Sequence, residues 1–229
     1  MSTTTEAEPQ AKTDRRGDWI QTFTGRRFYP LDPFPEEVDE FDIAHALSLL
    51  CRFGGHVDRF YSVAEHCVLM SRWVEQWAHR APQGFTGEEI RLLALEALVH
   101  DATEAFVVDV PRPLKQSLPE YRAIEDRVAV AVWKRFGLPV HVRRTLVAGF
   151  VIEFAVESLV VKGADARILL DERNALMAAT RHRWAQDDLE PLGVTVDGWA
   201  PAVAERMYLA RLASLTPATV LSVPDEVAW

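Results

Sequence analysis

From Asp42 onward, apolar residues recur at helical spacing, and the breaks between these runs carry explicit helix-starting chemistry. Ser62-Val-Ala-Glu65 reads as a capping box: the serine oxygen accepts from the third backbone N–H and the glutamate reaches back. It predicts a helix through about Trp77, with His66 in its first turns. Thr86-Gly-Glu-Glu89 is a second box, opening a helix through Leu93, Leu95 and Leu98 to roughly Glu104, and Pro111 and Pro113 forbid its continuation. Asp42 is the expected cap of Ile43–Leu50, and Gly54-Gly55 interrupts the chain beyond that helix. Pro119 to Phe136 predicts a helix ended by Gly137. His141 to about Trp184 reads as a long helical stretch with a break near Gly163. Pro201, at a first-turn position, opens a last helix through Met207 and Leu212. Strand character is confined to Trp19–Tyr29, where aromatic and β-branched residues flank Gly25 in a short hairpin, with a proline-rich loop after it over Pro30–Glu37. The expected fold class is all-α, with a disordered tail over 1–17 and one domain over 18–229.

Composition sets limits on function. The chain has 229 residues, enough to bury a substantial core, and a formal net charge of −9, the wrong sign for a general nucleic-acid binder. That charge is compatible with a small anionic substrate in a locally basic pocket. Cys51 and Cys67 form neither a zinc-like spacing nor a disulfide framework, so a reducing, cytoplasmic setting is expected. The start has no apolar core of a signal peptide, and no apolar run approaches the length of a membrane span.

The chemistry-bearing residues are few and specific in type. His100-Asp101 ends an apolar helix, and His66 lies on a separate one, facing inward among Val63, Met70 and Trp73. Asp165 is an acid within the apolar stretch LVVKGADARILL. Burying a carboxylate alone costs several kcal/mol, so a metal, a basic partner or a position at the surface has to account for it. Two imidazoles and two carboxylates from three helices suit one divalent ion with positions open to water and substrate. Such an ion polarises a phosphoryl oxygen and acidifies water. Glu104 is four residues beyond His100, which puts both on one helix face and makes Glu104 a general-base candidate. Lys115 comes after two stiffening prolines and is a candidate phosphate contact.

The succession His66, His100-Asp101, Asp165 resembles the H…HD…D pattern of the HD phosphohydrolase superfamily. The stretch HDATEAFVVDVPRPLK, His100–Lys115, is similar to that of the bacterial HD-domain 5′-deoxynucleotidases, and the likeness extends over about Asp42 to Ala175. The resemblance implies an HD-domain helical fold with His66, His100, Asp101 and Asp165 as ligands of a divalent metal. It also implies Glu104 handling the proton of the attacking water and Asp109 beside the ester oxygen or sugar. Arg52-Phe53 matches an arginine–aromatic pair that clamps phosphate and packs the sugar or base, with Phe53 standing where the better-known deoxynucleotidases have tryptophan. The interval 102–164 holds only His141, whereas two-metal members add histidines there, so one ion is expected.

The blocks TFTGRRFYPLDP, LCRFGGH and RFYSVAEH resemble a second branch that includes a phage dATP triphosphohydrolase, and Arg26-Arg27 would suit a longer phosphate tail. The expected activity is deoxynucleoside monophosphate hydrolysis, with dNTP triphosphohydrolysis as the alternative. A nucleotide-sensing protein without catalysis is the alternative from another class. A homo-oligomer is implied by the resemblance alone.

Overall fold

The computed structural model describes residues 14–144 and 151–217. Of the expected tail, residues 1–13 lie outside this set. Arg15 is docked: it pairs with Asp32 at 2.8 Å and Glu37 at 2.7 Å, and its guanidinium lies over the rings of Tyr29 and Phe34. The protein is mostly helical. The hairpin expected around Gly25 is present as β1 (Ile20–Gln21) paired antiparallel with β2 (Arg27–Phe28).

Helix α1 spans Glu40–Leu49. Its cap is Asp39, which accepts from Phe41 N, and not Asp42 as the sequence suggests. Asp42 already sits in the first turn, where its carboxylate accepts from Thr24 N and Oγ1 and so ties the hairpin to the helix. Helix α2 (Val63–Arg80) starts at Ser62 as expected, with Ser62 Oγ accepting from Glu65 N. The second half of the expected box is absent. Glu65 is fully buried and instead accepts backbone N–H groups from Asp197, Gly198 and Trp199. At Thr86 both halves of the box form, opening α3 (Gly87–Val99).

α3 stops short of Glu104. His100–Thr103 form a tighter turn, with Ala102 N donating to Val99 O and Glu104 N to Asp101 O, before the short α4 (Glu104–Val107). Then come α5 (Arg112–Lys115) and α6 (Pro119–Arg135), which closes at Gly137 as expected.

The stretch after His141 is not the helix expected from the sequence. It is a second antiparallel hairpin, β3 (Val140–Arg144) with β4 (Val151–Ala155), in the register Val140↔Ala155 to Arg144↔Val151. A run such as Val151–Ala155, rich in β-branched and aromatic residues, has no periodicity that separates strand from buried helix. Residues 145–150 of the apolar stretch Thr145–Ile152 lie outside the described residues. Helix α7 (Leu159–Leu176) begins at a Ser158 cap and runs unbroken through Gly163. The last helix, α8 (Pro201–Leu215), starts at the expected proline.

α2 is the central helix. It packs on α3, α7 and α8, and α8 also lies across α1. The main core joins Ile43, Leu47, Ala64, Val68, Leu95, Leu98 and Tyr208, and a smaller cluster of Met70, Val74, Ala97, Val161 and Ile168 sits between α2, α3 and α7. Between α7 and α8, residues 177–200 contain no helix or strand and run as a strap over α2 and α7. Carboxylates hold it: Glu65 through its three N–H donors, and Asp171 accepting from Leu192 N and Gly193 N. Arg59 donates to Val196 O and Trp73 Nε1 to Leu192 O. No helix among the described residues is long and apolar enough to cross a membrane.

Removing the Glu65 carboxylate leaves three strap N–H groups without their acceptor. Glu65→Ala should cost about 1–3 kcal/mol. For a domain of this size that is a fall of roughly 2–12 °C in Tm, measured by scanning calorimetry or circular dichroism. An unchanged Tm would show that the strap is held by other contacts.

Candidate metal centre

His66 is fully buried, one turn into α2, and His100 and Asp101 arrive from the turn that ends α3. The ligand-type atoms of these three residues all lie within 4.8 Å of one another. His66 Nε2 is 3.3 Å from His100 Nε2 and 3.6 Å from Asp101 Oδ2, and His100 Nε2 is 3.3 Å from Asp101 Oδ2. Asp165, from α7, places Oδ1 3.6 Å from His66 Nε2, with its side chain 41% exposed at the rim. The four residues expected as ligands are therefore brought together, three tightly and the fourth beside His66.

The other ring nitrogens are already committed. His66 Nδ1 is 2.6 Å from Glu172 Oε1, and His100 Nδ1 is 2.9 Å from Ala97 O. A carbonyl accepts only, so His100 donates from Nδ1, and a neutral ring then presents a lone pair at Nε2. The Glu172 carboxylate fixes the same tautomer on His66. Two lone pairs facing each other would repel, so the contact calls for a proton on one ring, giving an Nε2–H···Nε2 hydrogen bond, or for a cation between them. The spacing fits such an ion. Nitrogen and oxygen ligands at about 2.0–2.2 Å from a metal, at angles of roughly 90–110°, stand about 3–3.6 Å apart.

The electrostatics point the same way. Burial disfavours a charged imidazole at His100, yet the Asp101 carboxylate overcomes this and draws its pKa well above the usual histidine range. Burial would raise Asp101, but His100, His66 and Arg52 hold it well below the usual carboxylate range. This cluster gathers positive charge.

Glu172 was not foreseen, although it lies two helical turns beyond Asp165 and so shares its face. Fully buried, it holds three groups: His66 Nδ1, Tyr61 OH at 2.8 Å and Arg52 Nη2 at 3.3 Å. Burial alone would raise its pKa, but Arg52, His66 and Tyr61 keep it below the usual range. Arg52 also reaches Asp101 Oδ2 at 3.2 Å, while its Nε is buried with no partner among the described residues. Expected as a phosphate clamp, Arg52 thus stands between Asp101, an expected ligand, and the carboxylate that orients His66.

Glu104 is buried, and its Oε2 has no hydrogen-bond partner among the described residues. Burial, with the charges of Asp101 and Asp109, pushes its pKa well above the carboxylate range. Asp109, half-buried, is raised by burial and senses Arg52, Asp101, Lys115 and His66. It comes directly after Val108, whose φ of 60° with ψ of 162° is a conformation a β-branched residue adopts only under constraint. Lys115 is tied to Glu125 at 2.7 Å rather than free at the site.

Two further residues carry no signal in the sequence. Glu157, in the β4–α7 connection, is pushed by burial up to about 7, its charge felt by His100, Asp165 and Asp101. Trp184, on the strap, stands 6.4 Å from Phe53, ring centre to ring centre. Phe53 itself has φ 56° and ψ 25°, a left-handed conformation uncommon outside glycine.

No protein-family model matches the chain. It is 36% identical to the uncharacterized protein YfdR of Escherichia coli (strain K12) over 202 residues, covering 86% of this chain and 96% of that one. It is 41% identical to the uncharacterized protein RCAP_rcc00048 of Rhodobacter capsulatus over 124 residues, covering 53% of this chain and 59% of that one. On the first of these matches the chain belongs to the same family as YfdR.

Removing the orienting carboxylate should weaken the site without removing a ligand. Glu172→Gln is expected to bind Mn²⁺ about 10- to 100-fold more weakly than wild type, and Asp101→Ala to lose stoichiometric binding, both read by calorimetric titration. Wild-type affinity in either variant would contradict this reading of the cluster.

Proposed function

We propose that this member of the YfdR family is a metal-dependent phosphohydrolase of the HD type, acting on deoxynucleotides and releasing the 5′-phosphate from deoxynucleoside monophosphates. The observation that carries the reading is the convergence of His66, His100, Asp101 and Asp165 from three separate elements, with the two Nε2 atoms 3.3 Å apart. His66, His100, Asp101 and Asp165 would hold one divalent ion. When bound, the ion supplies Lewis-acid polarisation of a phosphoryl oxygen and acidifies water.

The chain's own groups supply the rest. Glu104 Oε2 is buried and unpartnered, and its raised pKa keeps a proton on it until a nearby positive charge favours the carboxylate; with the cation bound, Glu104 would be ionised and would take the proton of the attacking water. Asp109, whose charge Glu104 senses, would give a proton to the departing sugar oxygen, and its raised pKa suits a carboxyl that carries one. Arg52 holds Asp101 in place, and its guanidinium, whose buried Nε has no partner among the described residues, would donate to an incoming phosphate. Phe53 presses an apolar ring where the sugar or base lies. A 2′-hydroxyl desolvated there without a partner costs about 1–3 kcal/mol, which favours the deoxy substrate.

The monophosphate is preferred over the triphosphate for a specific reason. The cations expected to serve a longer tail are committed to the fold: Arg26 pairs with Asp39 at 3.2 Å, and Arg27 lies over the Trp19 ring. A homo-oligomer remains part of the proposal from the resemblance.

The test is turnover of a nucleotide panel (dAMP, dATP, AMP, ATP) with Mn²⁺, Co²⁺ or Mg²⁺, analysed for phosphate, pyrophosphate and triphosphate. Phosphate release from dAMP at roughly 10- to 100-fold higher kcat/KM than from AMP is expected. Faster ribonucleotide turnover would overturn the sugar preference, and intact triphosphate would overturn the chain length. Glu104→Gln should keep the metal and bind nucleotide while losing about 10²-fold or more in kcat. Unimpaired turnover would remove Glu104 from the mechanism.

A further inference from the structure

Moving outward from the metal centre, the side chains fall in a fixed order. Asp101 meets the Arg52 guanidinium at 3.2 Å, the guanidinium lies 5.5 Å from the centre of the Phe53 ring, and that ring lies 6.4 Å from Trp184 at an angle of 50°. Phe53 and Trp184 come from segments far apart in the chain, and each is held in place by something other than the other ring.

Phe53 is fixed by its backbone. It and Gly54 both take left-handed φ/ψ, and the turn is pinned on one side by the Arg52 N to Tyr61 O bond and on the other by His56 N to Phe53 O. A bulky residue holds that conformation only under constraint, and such strain clusters at functional sites.

Trp184 is fixed by a small turn. Its backbone N–H donates to Asp187 Oδ2 at 2.8 Å, and Asp187 N returns a bond to Trp184 O at 3.2 Å. Asp187 is in turn paired with Arg173 of α7, whose guanidinium lies 5.1 Å from the Trp184 ring centre. The strap leaves α7 just beyond Ala175, whose carbonyl accepts from Arg59, and past the turn it is anchored at Leu192 and Gly193 through Asp171 and at Val196 through Arg59. A tryptophan left half-buried on such an anchored turn presents an aromatic face beside a second ring, on the outward side of the arginine that borders the centre.

We propose that Trp184, together with Phe53, forms the surface on which the nucleobase of the substrate stacks, and that Trp184 gives purines the advantage over pyrimidines. A substrate with its phosphate at Asp101 and Arg52 projects its base along the line that leads to these rings. Stacking on aromatic side chains tolerates every base but grows with the overlapping π-surface. A bicyclic purine covers more of two adjoining rings than a pyrimidine does. Arg173 behind Trp184 polarises the ring and holds it at that angle. The inference rests on the phosphohydrolase reading for the placement of the phosphate, not for the existence of the aromatic surface.

Two measurements on the metal-loaded protein test it. The first is equilibrium binding of dAMP and of deoxycytidine 5′-monophosphate by calorimetry, and the second is turnover of these and of 2-deoxyribose 5-phosphate, which has no base. Wild type should bind dAMP more tightly than the cytidine nucleotide. Trp184→Ala should weaken dAMP binding and raise its KM about tenfold or more, with kcat changed less than twofold. Trp184→Phe should recover most of that loss. The same Trp184→Ala change should shift the KM for 2-deoxyribose 5-phosphate by less than twofold.

Equal losses on the base-free and base-bearing substrates would make Trp184 a structural residue of the strap and overturn the proposal. So would unchanged dAMP binding, or failure of wild type to bind either nucleotide. Wild-type binding of dAMP that responds to Trp184 in this way, without any turnover, would support the aromatic surface while refuting the phosphohydrolase reading.

Discussion

Two imidazole nitrogens facing each other at 3.3 Å, each on a ring whose other nitrogen is bonded on the far side, set the central demand of this molecule. Repulsion between them, and with the Asp101 and Asp165 oxygens nearby, is relieved by positive charge and by little else. The protein does not relieve it through its own rotamers, because His66 is locked to Glu172 and His100 to the Ala97 carbonyl. Instead the arrangement is held by a network that is itself buried and hydrogen-bonded, and its ligand-type atoms are close enough together that they could hold a cation. Glu172 is the hinge of that network: removing it would free His66 to turn and would leave Arg52 with one carboxylate instead of two. Buried charges of this kind are tolerated because every one of them has a partner of opposite sign or a donor within reach.

The scaffold around the centre is built to present few, well-oriented groups. α2 supplies His66 from the middle of the core, and the abrupt end of α3 at Val99 turns His100 and Asp101 back toward it. Where the backbone is strained, at Phe53 and at Val108, a candidate site side chain is immediate: the aromatic ring itself in the first case, Asp109 in the second. The strap over residues 177–200 has no regular structure of its own. Its order comes from carboxylates of α2 and α7 that gather its backbone N–H groups, and this allows a loop to carry Trp184 to a defined place.

Much of this is legible in the sequence, for identifiable reasons. The Thr86 box and the Pro119 and Pro201 starts are local signals that the structure bears out, because a cap is decided by a few neighbouring residues. His66, His100, Asp101 and Asp165 are grouped in the sequence by their resemblance to the H…HD…D succession, since each alone has an ordinary core or surface explanation. The features that escape the sequence are long-range. Glu65 carries the sequence of a capping box, but the strap's N–H groups, more than 130 positions away, outcompete the local bond. The β3–β4 hairpin reads equally well as buried helix, and only its cross-strand pairing decides between them. Glu172 and Trp184 sit in stretches where an acid and an aromatic are unremarkable. Their roles exist only once α7 lies against α2 and the strap folds over the Arg52 turn.

The claim on which the rest depends is that one divalent ion belongs between His66 and His100. Crystals grown with Mn²⁺ and measured at its absorption edge give the most direct test. The account predicts a single anomalous peak about 2.0–2.3 Å from both Nε2 atoms and from carboxylate oxygens of Asp101 and Asp165. A map with no peak there, with the two imidazoles turned apart, or with the ion held elsewhere on the protein, would contradict it.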